Sequence, residues 1–191
     1  MREAAAPASR LVGLPPVVHR ATRVLVLGSF PGVASLAARQ YYGHPRNHFW
    51  PILAALWPQH PLPDSDHYAA RCDWLLARGL GLWDVYAACE RAGSLDSRIR
   101  NAQVNDFAGL LIQAPRLAAI AHNGGESYAH ARAVRASLGL ADATAIASLR
   151  LPSTSPANAS WSFDRKLQAW RQALTDFGLI TLETAVDRLS T

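Results

Sequence analysis

The sequence predicts an α/β fold in three layers, a central four-stranded parallel sheet flanked by helices. Two observations predict the class, and a third sets its size. Four short apolar runs alternate along the chain with stretches of helical periodicity, the order that builds parallel sheets through crossover helices. The first run, Arg23-Val24-Leu25-Val26-Leu27, is closed by Gly28-Ser29-Phe30-Pro31-Gly32 and reads as a central strand whose carboxyl end opens onto a loop. At 191 residues, 50% of them hydrophobic, the chain can bury the core of one domain.

Taken in order, residues 1–18 are expected as a flexible N-terminal arm, Ala/Pro-rich at the start and without the long apolar stretch of a signal peptide. Residues 19–191 form the single domain. Strands are expected at residues 24–27, 80–85, 117–121 and 145–151. Helices are expected over 49–57, 67–77, 106–112 and 126–138, with a Pro/Asp-rich surface loop at 58–66. A last helix over 161–177 sets Phe163, Leu167, Trp170 and Leu174 on one face, with Ser160 as its N-cap. No repeat or domain-splitting linker interrupts this order.

The formal charge is +5, and 18 of the 19 cationic residues are arginine. A basic balance points toward nucleic acid, although arginine in place of lysine also follows from a GC-rich genome. Cys72 and Cys89 are too few for a four-cysteine zinc or iron–sulfur site and read as small hydrophobes. No segment reaches the roughly 18 apolar residues of a membrane span. The chain reads as a soluble, cytoplasmic monomer with no membrane partner.

In an open α/β sheet, ligands bind outside the carboxyl ends of the strands. The first loop brings Tyr41, Tyr42, His44, Arg46, Asn47 and His48 to that edge within eight residues, stacking and hydrogen-bonding groups suited to a planar polar ligand such as a nucleobase. The loop after the fourth strand, Leu151-Pro152-Ser153-Thr154-Ser155-Pro156-Ala157-Asn158, is hydroxyl-rich and stiffened by prolines. Such loops hold phosphate oxygens, or simply turn into a helix cap.

Those two loops, together with Gly81-Leu82-Trp83-Asp84-Val85 and Ser94-Leu95-Asp96-Ser97, make an ordered set over residues 20–175. The set resembles the hypoxanthine-DNA glycosylases, a branch of the uracil-DNA glycosylase superfamily related to the mismatch-specific enzymes. The resemblance implies a uracil-DNA glycosylase-like fold and removal of deaminated bases from double-stranded DNA without metal or cofactor. Two departures stand out. The mismatch-specific relatives carry a water-positioning Asn where this chain has Phe30, and several branches carry a base-supporting His where it has Leu151. The resemblance implies that Asn47 supplies the catalytic amide, with His44 beside it in the same motif. It also implies Tyr42 as the aromatic that stacks on the base, with Phe30 lining the base pocket.

Each of these residues also has a plainer reading. Asn47 precedes a helix with Pro51 in its first turn and would cap it well. Tyr42, like Tyr41, is equally a core aromatic. Asp84 ends the second strand, where a carboxylate would accept the N1–H of hypoxanthine or the N3–H of uracil and repel the bare N1 of adenine; a cap or an arginine partner is the alternative. Asn123 either bonds the base or makes the turn before Gly124-Gly125. Ser35, Ser153, Thr154 and Ser155 are the candidate phosphate-binding hydroxyls. Strand-cutting glycosylases use an amine to form a Schiff base. The lone Lys166, which reads as solvent-facing on the last helix, therefore argues for a monofunctional enzyme; the resemblance implies hypoxanthine as its first substrate. The rivals are a mismatch-type uracil-DNA glycosylase and a catalytically silent binder of damaged or single-stranded DNA.

Overall fold

The computed structural model describes residues 10–139 and 146–180. Seven strands and seven α-helices follow one another along these residues: β1 (Arg10–Val12), β2 (Val24–Gly28), α1 (Val33–Ala38), α2 (Phe49–Leu56), α3 (Tyr68–Leu76), β3 (Leu80–Asp84), β4 (Tyr86–Glu90), β5 (Arg100–Val104), α4 (Leu110–Gln113), β6 (Ala119–Asn123), α5 (Gly125–Ala129), α6 (Ala131–Ser137), β7 (Ala147–Leu151) and α7 (Phe163–Asp176). Strands β2, β3, β6 and β7 form the expected parallel sheet in the order β3-β2-β6-β7.

All five residues of β2 are buried, and the strand divides the core in two. Val24 and Val26 face Phe49, Ile52 and Leu53 of α2 and Trp170 and Leu174 of α7. Leu25 and Leu27 face Phe107, Leu110, Val134 and Leu138 on the other side. Apolar side chains at every position are what a strand covered on both faces requires. The face predicted for α7 is the buried one, with Trp170 and Leu174 fully enclosed.

Several elements differ from expectation. The arm is not free from residue 10 onward. β1 pairs antiparallel with β4, and Val17 exchanges two 2.9 Å backbone hydrogen bonds with Leu82, covering the open edge of β3. The loop expected after β3 instead contains β4 and β5, which join β1 in a second, antiparallel sheet. β6 begins two residues later than expected, and residue 145 of the last predicted strand lies outside the described residues. The helix expected over 126–138 is two helices that meet at His130, whose Nε2 lies 2.7 Å from the Tyr86 hydroxyl. Ser162, not Ser160, caps α7 by accepting the Arg165 N–H; the Ser160 hydroxyl turns to Asn158. Among the described residues, no helix is long and apolar enough to cross a membrane.

Candidate active site

Parallel pairing sets Gly28 beside Asp84 and Asn123 beside Leu151, so the ends of all four central strands reach one edge. The loops leaving that edge enclose a cavity of about 770 Å³. Phe30, Ser35, Tyr42, His44, Asn47, Asp84, Asn123, Ser153, Thr154 and Ser155 all line it.

The β2–β3 side holds a buried acid. Asp84 is 4% exposed, and its Oδ2 has no hydrogen-bond partner among the described residues. A Cβ at position 28 would collide with the Asp84 Oδ1, so glycine leaves room for the carboxyl where it stands. Burial, and then the charge of Asp96, push Asp84 up to about 8 against the opposing pull of Arg91. At neutral pH the carboxyl is therefore mostly protonated, not the carboxylate the sequence suggested. Tyr42 stands beside it with a left-handed backbone (φ 56°) and a ring stacked on Phe49 at 3.9 Å. Its hydroxyl is also buried and meets no partner in normal hydrogen-bond geometry among the described residues, although the Asn123 side chain lies near it. A non-glycine residue in that conformation costs roughly 1–3 kcal/mol and persists only where its surroundings hold it.

His48 is the N-cap of α2 and makes no side-chain cap bond; Asn47, one residue earlier, supports the helix start instead, its Oδ1 accepting the Phe49 N–H at 2.9 Å. The amide nitrogen has no protein partner among the described residues. The Nδ1 of His44 accepts the Arg46 N–H at 3.1 Å, which places the proton of a neutral ring on Nε2. Phe30 is 6% exposed, and the Arg91 guanidinium sits 5.0 Å from its ring centre.

The β6–β7 side is built from mutual hydrogen bonds. The Asn123 Nδ2 donates to the Thr154 Oγ1, and the Thr154 N–H donates to the Asn123 Oδ1, both at 2.9 Å. Thr154 is fully buried, so its hydroxyl clamps this loop to β6 and does not meet phosphate. Ser35 is corrected in the same way: it is 5% exposed and its hydroxyl accepts the Gly43 N–H at 3.1 Å, fixing the first loop. Ser153 and Ser155 are half-buried, and each hydroxyl accepts a backbone N–H two residues on, leaving its own hydrogen to donate outward.

Lys166 does not face solvent. It is 1% exposed, and its ammonium donates to the Asn158 carbonyl at 3.0 Å, because the turn at 158 folds back over the start of α7. It does not line the cavity. His122 is also kept from it: Ser127 holds its Nδ1 at 2.9 Å, and burial lowers the ring to about 4.

The sequence reading gave no role to Ser29, Ser94, Asp96 or Arg91. The Ser29 hydroxyl donates to Asp96 at 2.7 Å, and the Ser94 hydroxyl accepts the Val33 N–H at 3.0 Å. Arg91 donates to the carbonyls of Pro31 and Gly93. These contacts lock the loop after β4 onto the loop after β2. The Ser94–Ser97 motif was the only local signal for them; the partners lie some sixty residues away.

A profile described as the uracil DNA glycosylase superfamily matches residues 15–177. A protein of Methanosarcina barkeri named hypoxanthine DNA glycosylase is 38% identical over 124 residues, 65% of this chain and 77% of that one. Its namesake in Methanosarcina acetivorans is 36% identical over 154 residues, 81% and 92% of the two chains. The solution NMR structure of a Methanosarcina acetivorans protein, named as a candidate uracil DNA glycosylase, superposes with a TM-score of 0.73 at 32% identity. That match covers 89% of this chain and 99% of the other. The protein described here belongs to the uracil DNA glycosylase superfamily, a group of DNA N-glycosylases that hydrolyse N-glycosyl bonds.

Proposed function

We propose that this protein is a monofunctional DNA glycosylase that flips deaminated bases, hypoxanthine first, out of double-stranded DNA and removes them by hydrolysis. The observation that carries the reading is the unpartnered Asp84 carboxyl, beside the unpartnered Tyr42 hydroxyl, on the wall of a cavity of base-holding size. Hypoxanthine offers N1–H as donor and O6 as acceptor. A neutral carboxyl meets both, its carbonyl accepting from N1–H and its hydroxyl donating to O6. The names of the two Methanosarcina relatives support the same substrate. Uracil offers an equivalent pair at N3–H and O4, which makes it the second reading.

The bond between C1′ and N9 breaks with its electron pair leaving on the base, and water adds to C1′. Asn47 is the side chain assigned to orient that water as positive charge develops on the sugar. Asp84, donating to O6, draws charge from the departing base, work done by a histidine in branches where Leu151 has its counterpart. The Lys166 ammonium is held on Asn158, so no lysine amine faces the cavity to form a Schiff base.

Base release from duplexes carrying hypoxanthine, uracil or xanthine tests the reading. Hypoxanthine should leave fastest, and the product strand should stay intact until alkali or heat is applied. Tight binding without release would make the protein a silent binder. A covalent adduct trapped by borohydride would overturn the monofunctional mechanism.

A further inference from the structure

A base drawn into the cavity leaves a gap in the duplex at the cavity mouth, and proteins that unstack DNA fill such gaps with an apolar side chain. The loop after β7 lines the cavity with only small or ring-closed apolar groups, Pro156 and Ala157. Among the described residues, six large hydrophobic side chains are exposed, and one of them, Leu95, lines the cavity. We infer that Leu95 is the wedge that enters the duplex and holds the lesion base out of the stack.

The loop around Leu95 is braced while the side chain is left free. Ser94 is tied to Val33, and Asp96 to Ser29. The Leu95 carbonyl accepts the Arg98 N–H at 3.0 Å, closing a short 3-10 turn over Asp96–Arg98. The leucine remains 47% exposed. A wedge needs such a rigid backbone, because a mobile one would yield instead of displacing a stacked base. The assignment rests on the glycosylase reading above.

Single-turnover release of hypoxanthine from two substrates tests it: a fully paired duplex, and the same duplex with an abasic analogue opposite the lesion, where the base is already unpaired. L95A should lose at least about tenfold on the paired duplex and stay within about twofold of wild type on the unpaired one, because only the first must be forced open. L95F keeps an apolar wedge and should retain most of the paired-duplex rate. V33A, an exposed neighbour off the cavity wall, should behave as wild type. Equal rates for L95A and wild type on the paired duplex overturn the wedge and leave the glycosylase intact. Equal losses on both substrates, or the same loss in V33A, overturn it too. A wild-type protein that releases no base from either substrate overturns the proposed function itself.

Discussion

Asn123 and Thr154 close the β6–β7 side of the cavity with two mutual hydrogen bonds, whereas Asp84 and Tyr42 on the β2–β3 side keep buried oxygens with no partner. The first arrangement is what stability favours, since a buried polar group left unpaired costs about 1–3 kcal/mol. The second is costly in the free protein: a desolvated carboxyl, an orphan hydroxyl and a left-handed tyrosine lie together. Unpaired polar groups are worth keeping where a ligand will pair with them. The contrast divides the cavity into a settled side that shapes the site and an unsettled side that, on the proposed function, would meet the base.

Asn47 offers the largest effect with which to break this division, because it belongs to both kinds of region. One lone pair of its carbonyl accepts the Phe49 N–H, which leaves the second lone pair and the amide to meet water. Asn47→Ala should lower single-turnover release of hypoxanthine by at least roughly a hundredfold, the range for loss of one positioned catalytic group. Loss of its support for the helix start adds about 1 kcal/mol of destabilisation. Melting and cleavage measured on one sample separate the two. A variant that melts lower yet cuts at near-normal rate leaves Asn47 as a support of the helix start alone.

Asp84→Leu should act in opposite directions on function and stability. Leucine, close to aspartate in shape, offers neither the acceptor nor the donor of the carboxyl pairing, so activity on hypoxanthine should drop by about tenfold, as expected for a lost, desolvated hydrogen bond. Stability should rise. The folded carboxyl sits near 8 against an ordinary 3.8, so the folded state holds a proton that the unfolded chain has released. The cost of burying Asp84 is therefore absent below about pH 4, grows as pH rises toward 8, and is constant above it. The gain in melting temperature of the Leu variant should grow over the same window. Ionisation also bears on selectivity. A neutral carboxyl can pair with the N1 and amino group of adenine, while the carboxylate repels N1, so discrimination against adenine should sharpen as pH passes 8. A flat pH profile for both properties would make Asp84 an ordinary buried acid.

On the settled side, Thr154→Val should cost about 1–3 kcal/mol of stability, because the buried Asn123 amide loses its acceptor. Its effect on cleavage should be smaller than that of Asp84→Leu. The reverse order would mean that Asn123 reads the base and that the division between the two sides is wrong.

Sequence legibility follows the same line. The central strands and the α7 face were readable because burial on both faces of a sheet, or on one face of a helix, imposes a local apolar pattern. β5 was not: its Arg-Asn-Ala-Gln-Val run is exposed throughout, and its strand conformation comes from pairing with β4. The first loop announced its chemistry through residue types crowded into one segment. The work of Thr154, Ser35 and Lys166 was hidden, because each is decided by a single hydrogen bond to a partner the local pattern does not name. The sequence thus located the cavity residues while leaving open which of them face the ligand and which hold the wall.

The smallest effect concerns Ser153 and Ser155, which keep outward hydroxyl hydrogens on the settled side. If they donate to phosphates beside the lesion, the double alanine variant should bind DNA a few-fold more weakly, to the same degree whatever the base sequence. A hydroxyl carries no charge and releases no counterion, so the slope of log affinity against log salt should match wild type. Arg46, exposed on the cavity wall, is the opposite case. Arg46→Ala should flatten that slope by about one unit, the signature of one lost ionic phosphate contact. Titrations of both variants between low and moderate salt distinguish the two kinds of contact. A slope that changes in the serine variant, or stays fixed in the arginine variant, would show that the backbone path of the DNA runs elsewhere.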